Sequence, residues 1–161
     1  MAENILKHEG SKAQQYEALL PQIQALLSGE SDVVANMANV AAALKTQFDW
    51  HWVGFYRVMG EQLVLGPFQG PVACTRIAYG RGVCGSAWAQ NQTLIVPDVE
   101  AFPGHIACSA LSKSEIVVPM LNKGKMLGVL DVDATERDAF DATDQSGLEA
   151  IVQLLMEGNW G

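Results

Sequence analysis

The chain has 161 residues, of which 49% are hydrophobic and 17% are charged, and its formal net charge is −8 at pH 7. This length fits one domain with an apolar core of its own. The negative charge disfavours nucleic acid and anionic membrane surfaces as partners, because both would repel the chain. We therefore expect a small-molecule ligand or a protein partner.

No stretch of the sequence reaches the roughly 20 apolar residues that a membrane span requires, and the first residues lack the apolar core of a signal peptide. A cytoplasmic location and a reducing environment are therefore expected. In that setting the three cysteines are expected to be free, catalytic or metal-bound, and not parts of a structural disulfide framework.

Two helices are predicted at the start of the chain. Apolar residues recur at helical spacing over 11–27, where Ser11 is a candidate cap and Pro21 predicts a kink or a division into two short helices. A second apolar stripe follows over 33–44, with Ser31 as its candidate cap.

The rest of the chain predicts an antiparallel sheet, and its strands are expected over 50–58, 63–68, 71–79, 93–96, 115–121 and 125–134. A short helix is predicted over 81–90, and a last helix begins at about Thr143. This order predicts an α+β fold in which the N-terminal and C-terminal helices pack on one side of the sheet. The segment 97–114 exceeds the usual connection length and carries His105 and Cys108, so we interpret it as a lid loop over a ligand pocket.

Three acids are candidates for a binding site. Asp131 and Asp133 stand two apart in a predicted strand and therefore share one face, while Val132 and Val129 are expected to face the core on the other side. Glu115 opens the neighbouring strand and could converge on the same place. These acids could simply solvate a wet face. They could also line a pocket, where mutual repulsion would raise their pKa values and provide both a proton donor and a seat for a ligand cation.

Aromatic residues alternate along the first predicted strand. Trp52 and Tyr56 are expected to share one face, and Trp50 is assigned to the same face. Aromatic residues at this spacing are more often ordinary core than a ligand cage. Beside a pocket, however, the rings could wall a small apolar group such as a methyl on sulfur.

The cysteines lie in three different settings: Cys74 in a predicted strand, Cys84 in a short helix between glycines, and Cys108 in the polar loop. A buried and inert role suits Cys84 best. A zinc site built from the three cysteines and His105 is conceivable, but the CxxC spacing typical of such sites is absent, and no metal site is expected. A third alternative is a redox pair, in which an exposed nucleophilic thiol in the loop meets a resolving thiol on a strand.

Four segments carry a family resemblance: WHWVGFYRV, LGPFQGPVACTRIAYGRGVCGSAW, TLIVPDVEAFPGHIACSALSKSEIVVP and GVLDVDA. Together they resemble the free methionine-(R)-sulfoxide reductases, which are enzymes built on a GAF domain. The resemblance runs from about residue 30 to 155 and includes the three cysteines and the three acids. It implies a single GAF domain over 1–161, with a core of about 30–157 and an N-terminal helical extension over 1–29.

The resemblance also implies an activity. Free L-methionine-(R)-sulfoxide would be reduced to L-methionine through a sulfenic acid on Cys108, and a Cys74–Cys108 disulfide would then be recycled by thioredoxin, with no bound cofactor. Cys84 would be an auxiliary thiol. The substrate-binding residues implied are Trp52, Tyr56, Glu115, Asp131 and Asp133.

Three questions stay open at this point. The alternative function is a non-catalytic GAF sensor that binds a small metabolite or signals through a Cys74–Cys108 disulfide. Nearby acids should raise the pKa of the Cys108 thiol, and Lys113 and His105 are the candidate cations that could offset this effect. The apolar stripe of the N-terminal helix suggests a homodimer contact.

Overall fold

The computed structural model describes residues 4–105 and 109–157, which form a six-stranded sheet, four α-helices and one 3₁₀ turn. The helices are α1 (Lys12–Leu27), α2 (Val33–Phe48), α3 (Gly82–Gln90) and α4 (Ala142–Met156), and the 3₁₀ turn covers Val99–Ala101. The strands are β1 (Trp52–Met59), β2 (Gln62–Gln69), β3 (Arg76–Ala78), β4 (Leu94–Val96), β5 (Ser114–Asn122) and β6 (Lys125–Ala134). The predicted α+β class is confirmed.

The first helix is continuous. Ser11 caps α1 as predicted, because its hydroxyl accepts a hydrogen bond from the Gln14 backbone N–H at 3.2 Å. The predicted division at Pro21 is wrong: the helix runs through the proline, and the fully buried Leu19 and Ile23 hold both sides of it against the core. No helix in residues 4–105 and 109–157 is long and apolar enough to cross a membrane.

Two boundary predictions are wrong. The cap of α2 is Asp32 and not Ser31, because Asp32 directly precedes the helix and its carboxylate accepts a hydrogen bond from the Ala35 N–H at 2.8 Å. The strand predicted over 71–79 is limited to Arg76–Ala78. A proline at the start of the predicted segment lacks the N–H that a sheet ladder needs. The residues before β3 therefore form an irregular segment that lies at the mouth of the pocket described below.

The sheet has the strand order β3-β2-β1-β6-β5-β4, and each neighbouring pair is antiparallel. Its two halves are the predicted hairpins β1–β2 and β5–β6, and they join where β1 pairs with β6. These two strands are therefore at the centre of the sheet, covered on both faces.

The two faces of the sheet have different partners. Helices α1, α2 and α4 cover one face, called the helical face below, where Phe55 and Leu130 are fully buried. Helix α3 covers the opposite face, called the pocket face. Val132 lies on the helical face as predicted. The prediction for Val129 is wrong, because the two-residue period of a strand places it on the same face as Asp131.

The apolar stripe of α1 is used within the chain. Tyr16, Leu19 and Ile23 are buried in the core of the helical face, and the Tyr16 hydroxyl donates a hydrogen bond to the Asp144 carboxylate at 2.7 Å. A homodimer would therefore need a different surface, and it stays a prediction. The division of the chain into an N-terminal extension and a core stays a prediction as well.

Candidate functional site

Strand register gathers the predicted acids on the pocket face. Glu115 of β5 pairs with Asp133 of β6, and Asp133 pairs on its other side with Trp52 of β1. Residues directly opposite each other in an antiparallel pair share a face, so these three side chains form one row across the sheet. Asp131 lies in the next row, opposite Gly54 of β1. The structure thus brings the three acids together beside an aromatic ring.

A narrow pocket with a cavity volume of about 50 Å³ covers these rows. The predicted residues that line it are Trp52, Tyr56, Cys84, Glu115, Asp131 and Asp133. His105, Ser109 and Ser112 line it from the long loop, which therefore does lie over the pocket. Cys108, the predicted nucleophile, lies outside the described residues.

Burial controls the protonation of the acids. Glu115 and Asp131 are each 6% exposed, and burial raises the pKa of both carboxyls and that of Asp133. The negative charge of Asp131 raises the pKa values of Glu115 and Asp133 further. The upward shift in the pKa of Asp131 is opposed by its hydrogen bonds with Glu115 and Cys84 and by the charge of His105. The cluster can therefore hold a proton on one carboxyl and a charge on another.

Cys84 is a buried thiol at the base of the pocket. Its Sγ lies 3.9 Å from Oε2 of Glu115, and burial raises its pKa well above the usual range. The predicted burial is correct, but the thiol also contacts the acid cluster. Cys84, Glu115 and Asp131 form a group whose potential ligand atoms all lie within 4.8 Å of one another. The zinc site considered from the sequence had a different ligand set.

Cys74 lies next to the pocket. It is half-buried, and its backbone carbonyl accepts a hydrogen bond from the Tyr56 hydroxyl at 2.9 Å. The neighbouring Ala73 lines the pocket. Cys74 is disulfide-bonded, whereas Cys84 is free. The ring of Tyr56 therefore both lines the pocket and holds the backbone of Cys74.

A wall of stacked rings closes one side of the pocket. Trp52 stacks on Phe68 with 5.2 Å between ring centroids and on Tyr56 with 5.9 Å. Sequence reasoning placed Phe68 in a strand without a role in the site. The assignment of Trp50 to this face is wrong, because β1 begins only at Trp52; Trp50 stacks on Phe48 and packs against the core of the helical face.

Gly54 makes room for this wall. A Cβ at this position would lie 2.3 Å from Cβ of Phe68 and 2.7 Å from Cη2 of Trp52. Real Cβ atoms do not approach other atoms this closely, so any other residue would displace a ring or a strand. The glycine thus fixes the distance between the wall and the acids.

Sequence reasoning missed a cation that lines the pocket. Arg81 directly precedes α3, and it lines the pocket together with the first residues of that helix. The N-terminus of α3 has no side-chain cap, so its backbone dipole adds positive potential there. The signal in the sequence was an arginine immediately before a glycine-flanked helix. Of the two cations considered, His105 lines the pocket, whereas Lys113 pairs with Glu100 at 3.8 Å.

One hydrogen bond connects the loop to the sheet beside the pocket. Nε2 of His51, in the residue before β1, lies 3.1 Å from Oγ of Ser109. Ser109 lines the pocket and directly follows Cys108 in the sequence. Farther along the loop, the Lys113 backbone N–H donates to the Ala134 carbonyl at 2.8 Å. These two bonds tie the described part of the loop to the residue before β1 and to the end of β6.

Comparisons with known proteins agree on one family. The GAF domain family matches residues 28–157. The chain is 62% identical to GAF domain-containing protein A of Dictyostelium discoideum, over 96% of this chain and 99% of that protein. It is 46% identical to the free methionine-R-sulfoxide reductase of Escherichia coli K12, over 90% of this chain and 88% of that protein.

A solved structure extends the likeness to the whole fold. The X-ray structure of free methionine-R-sulfoxide reductase from Neisseria meningitidis in complex with its substrate superimposes with a TM-score of 0.95. The two chains are 50% identical, and the alignment covers 98% of this chain and 95% of that one. The chain therefore belongs to the free methionine-R-sulfoxide reductase family of GAF-domain proteins.

Proposed function

We propose that this chain is an oxidoreductase that reduces free L-methionine-(R)-sulfoxide to L-methionine without a bound cofactor. The observation that carries the proposal is a pocket in which three carboxyls with raised pKa values face an aromatic wall. Sulfoxide reduction needs a proton donor beside the oxygen, and free methionine sulfoxide brings a cation and a methyl group to be bound. The names of relatives at 46% and 50% identity support the same substrate.

The acid that seats the substrate's α-ammonium is Asp131. Its Oδ1 is buried and has no hydrogen-bond partner among the described residues. An ammonium would satisfy that oxygen with a charge-assisted hydrogen bond. The substrate's α-carboxylate then lies toward Arg81 and the N-terminus of α3, where the potential is positive.

This seat accounts for a free amino acid as substrate. A methionine sulfoxide inside a peptide has an uncharged amide in place of the ammonium, so Asp131 would stay buried and unpaired. Sites that bind a polar group of the substrate in this way discriminate strongly against molecules that lack it. The methyl group on sulfur lies against the wall formed by Trp52, Tyr56 and Phe68, which offers it apolar surface.

Glu115 and Asp133 are the candidate proton donors. Burial and the neighbouring charge of Asp131 raise their pKa values well above the usual range, so these carboxyls hold a proton at a higher pH than exposed acids do. Protonation of the sulfoxide oxygen makes it a leaving group while a thiolate attacks the sulfur. Ser112, which hydrogen-bonds Asp133, orients one of the two donors from the loop.

Cys108 is the attacking thiol. The sulfoxide is reduced to methionine, and the oxygen is transferred to Cys108 as a sulfenic acid. The thiol of Cys74 then attacks that sulfur, which releases water and forms a Cys74–Cys108 disulfide. Thioredoxin reduces this disulfide through its own dithiol. The observation that supports a partner role for Cys74 is that it is disulfide-bonded while Cys84 stays free.

The test measures consumption of free L-methionine-(R)-sulfoxide by the full chain with thioredoxin, thioredoxin reductase and NADPH. The S epimer and a peptide sulfoxide are the controls, and only the free R form is expected to turn over. Cys108→Ser should abolish turnover but still bind methionine, measured by calorimetry. If the unmodified chain binds methionine but turns over no sulfoxide, the proposal fails and a non-catalytic GAF sensor becomes the better account. A cytoplasmic location and a homodimer stay predictions.

A further inference from the structure

The base of the pocket gathers one sulfur and two carboxylates from three different elements. Cys84 comes from α3, Glu115 from β5 and Asp131 from β6, and all three are buried, with 4%, 6% and 6% exposure. One potential ligand atom of each lies within 4.8 Å of the others, and the Sγ to Oε2 distance between Cys84 and Glu115 is 3.9 Å. The proposed reduction uses the carboxyls but gives the thiol no step.

These distances suit a small metal ion. Zinc binds thiolate sulfur at roughly 2.3 Å and carboxylate oxygen at roughly 2.0–2.2 Å, so two of its tetrahedral ligands lie roughly 3.3–3.7 Å apart. The Cys84 and Glu115 atoms are already near that separation. Side-chain shifts of about 1 Å would bring the other pairs into range, which buried but solvent-connected side chains at a pocket wall can make.

A second observation indicates that the cluster lacks a ligand. Oδ1 of Asp131 is buried without a hydrogen-bond partner among residues 4–105 and 109–157. A buried carboxylate oxygen without a partner has lost its hydrogen bonds to water and has formed none within the protein to replace them. Arg81 and the imidazole of His105 line the same pocket. A divalent ion at the base would satisfy the orphaned oxygen and reduce the repulsion among the acids.

We propose that Cys84, Glu115 and Asp131 bind Zn²⁺ at the base of this pocket, and that the ion and the amino-acid substrate exclude each other. On binding, the Cys84 S–H bond breaks, its proton goes to solvent and the sulfur ligates the ion; nothing is oxidised or reduced. The fourth ligand position faces the open pocket and takes water. The ion occupies the place of the substrate's ammonium beside Asp131. The competition between zinc and substrate therefore rests on the proposed function, whereas zinc binding itself does not.

The ligand set selects the metal. A thiolate prefers zinc and similarly soft ions, and three protein ligands plus one water are the usual set of an open zinc site. Magnesium and calcium prefer six or more oxygen ligands, which this cluster does not offer. Zinc is therefore expected to bind and magnesium is not.

The test uses a chain in which Cys84 is the single cysteine. The sequence has three cysteines, so the double variant Cys74→Ser/Cys108→Ser leaves only this thiol. Titration with Co²⁺, a spectroscopic substitute for zinc, should give one ion per chain and a near-ultraviolet sulfur-to-cobalt charge-transfer band. Added Zn²⁺ should remove the band, and Mg²⁺ should not. Circular dichroism shows whether the variant is folded.

Two matched variants in the same background locate the ion. Cys84→Ser should abolish the band, and Asp131→Asn should weaken Co²⁺ binding by at least about 100-fold, since even indirect changes around a metal cost 10- to 100-fold. Free methionine should weaken Co²⁺ binding in a concentration-dependent way. In the unmodified enzyme, Zn²⁺ should raise the KM for the sulfoxide and leave kcat unchanged.

Several results would overturn the proposal. The absence of a saturable band in the folded single-cysteine chain, or a band that survives Cys84→Ser, would overturn the zinc site. Cobalt affinity that is the same with and without methionine, in a chain that calorimetry shows to bind methionine, would overturn the exclusion. The cobalt spectrum does not depend on turnover. A chain without reductase activity that still shows the band would therefore contradict the proposed function and leave the zinc site standing.

Discussion

The two faces of the central strands show opposite chemistry within single strands. Along β6, Leu130 and Val132 enter the apolar core of the helical face, while Asp131 and Asp133 point into the pocket. Neighbours in the sequence thus serve different purposes because a strand alternates its side chains. The comparison shows that strand alternation, and not distance along the chain, separates the acid cluster from the apolar core of the helical face.

The faces also differ in energetic character. On the helical face, burial of apolar side chains stabilises the fold by about 25 cal/mol for each Å² removed from water. On the pocket face, Glu115 and Asp131 are buried against each other without a paired cation among the described residues, and Asp131 leaves one oxygen unpartnered. Burial of such groups costs free energy. We infer that the acid cluster is held in place by the apolar packing on both faces of the sheet and is itself destabilising until a cationic ligand binds.

The largest expected effect is on stability and comes from the helical face. Leu130→Ala should lower the free energy of unfolding by about 2–5 kcal/mol, because Leu130 is fully buried and its loss leaves a cavity in the core. Urea titration measures this directly. Below the transition, the variant should retain the KM of the unmodified chain. An unchanged unfolding midpoint would contradict the division of roles between the faces.

The next largest effect is on activity and comes from the neighbouring residue. Asp131→Asn should lower kcat/KM for free methionine sulfoxide by on the order of 100-fold, because an amide cannot form the charged pair with the ammonium. The unfolding midpoint should stay the same or rise, since a buried charge has been removed. The pair of variants therefore forms a test in which each is the control for the other. If Asp131→Asn lost as much stability as Leu130→Ala, the assignment of Leu130 to stability and Asp131 to substrate binding would be contradicted.

A smaller effect concerns the pH dependence of stability. Burial raises the folded pKa of Glu115, so this acid contributes stability below its unfolded pKa of about 4.3 and loses it as the pH rises through the folded value. The ligand-free chain should therefore lose stability as the pH rises above about 4.3. In Glu115→Gln this decrease should be smaller, because an amide does not ionise. Urea titrations at several pH values measure the slope.

The control for this experiment is an exposed acid. Glu61 lies in the turn between β1 and β2 and is exposed, so Glu61→Gln should leave the pH slope unchanged. If the slopes of the unmodified chain and Glu115→Gln are equal, ionisation of the buried cluster does not set the pH dependence. The inference that the buried acid cluster lowers stability would then be contradicted.

The sequence predicted the acid cluster because strand alternation and hairpin pairing are local rules. Asp131 and Asp133 follow from the two-residue period, and Glu115 follows from pairing across the β5–β6 turn. The errors arose where a local pattern was extended past its element. Alternation placed Trp50 on the face of Trp52, although β1 begins two residues after Trp50. Val129 was placed on the opposite face from Asp131, although the two-residue period of a strand puts both on the same face.

Residues that join the site through tertiary packing could not be read in the same way. Phe68 supports the pocket because β2 pairs with β1, and Arg81 lines it because α3 packs over β5 and β6. The arginine before a glycine-flanked helix is visible in the sequence, but the place where that helix packs is not. The bond between His51 and Ser109 spans 58 positions of the chain. Such contacts need the sheet topology first, since the order of the six strands is not the order of the sequence.

The smallest expected effect tests how the loop is held to the pocket face. His51→Ala and Ser109→Ala should each lower kcat/KM by about 2- to 10-fold, the equivalent of one hydrogen bond of about 0.5–1.5 kcal/mol. Because the two side chains share that bond, the double variant should be no worse than either single one. Steady-state kinetics of the three variants form a double-mutant cycle, and the unfolding midpoint should stay constant throughout. Additive losses would mean that His51 and Ser109 act separately. The loop would then be positioned by its other attachments, such as the Lys113 to Ala134 backbone bond and the ion pair of Asp98 with Arg137.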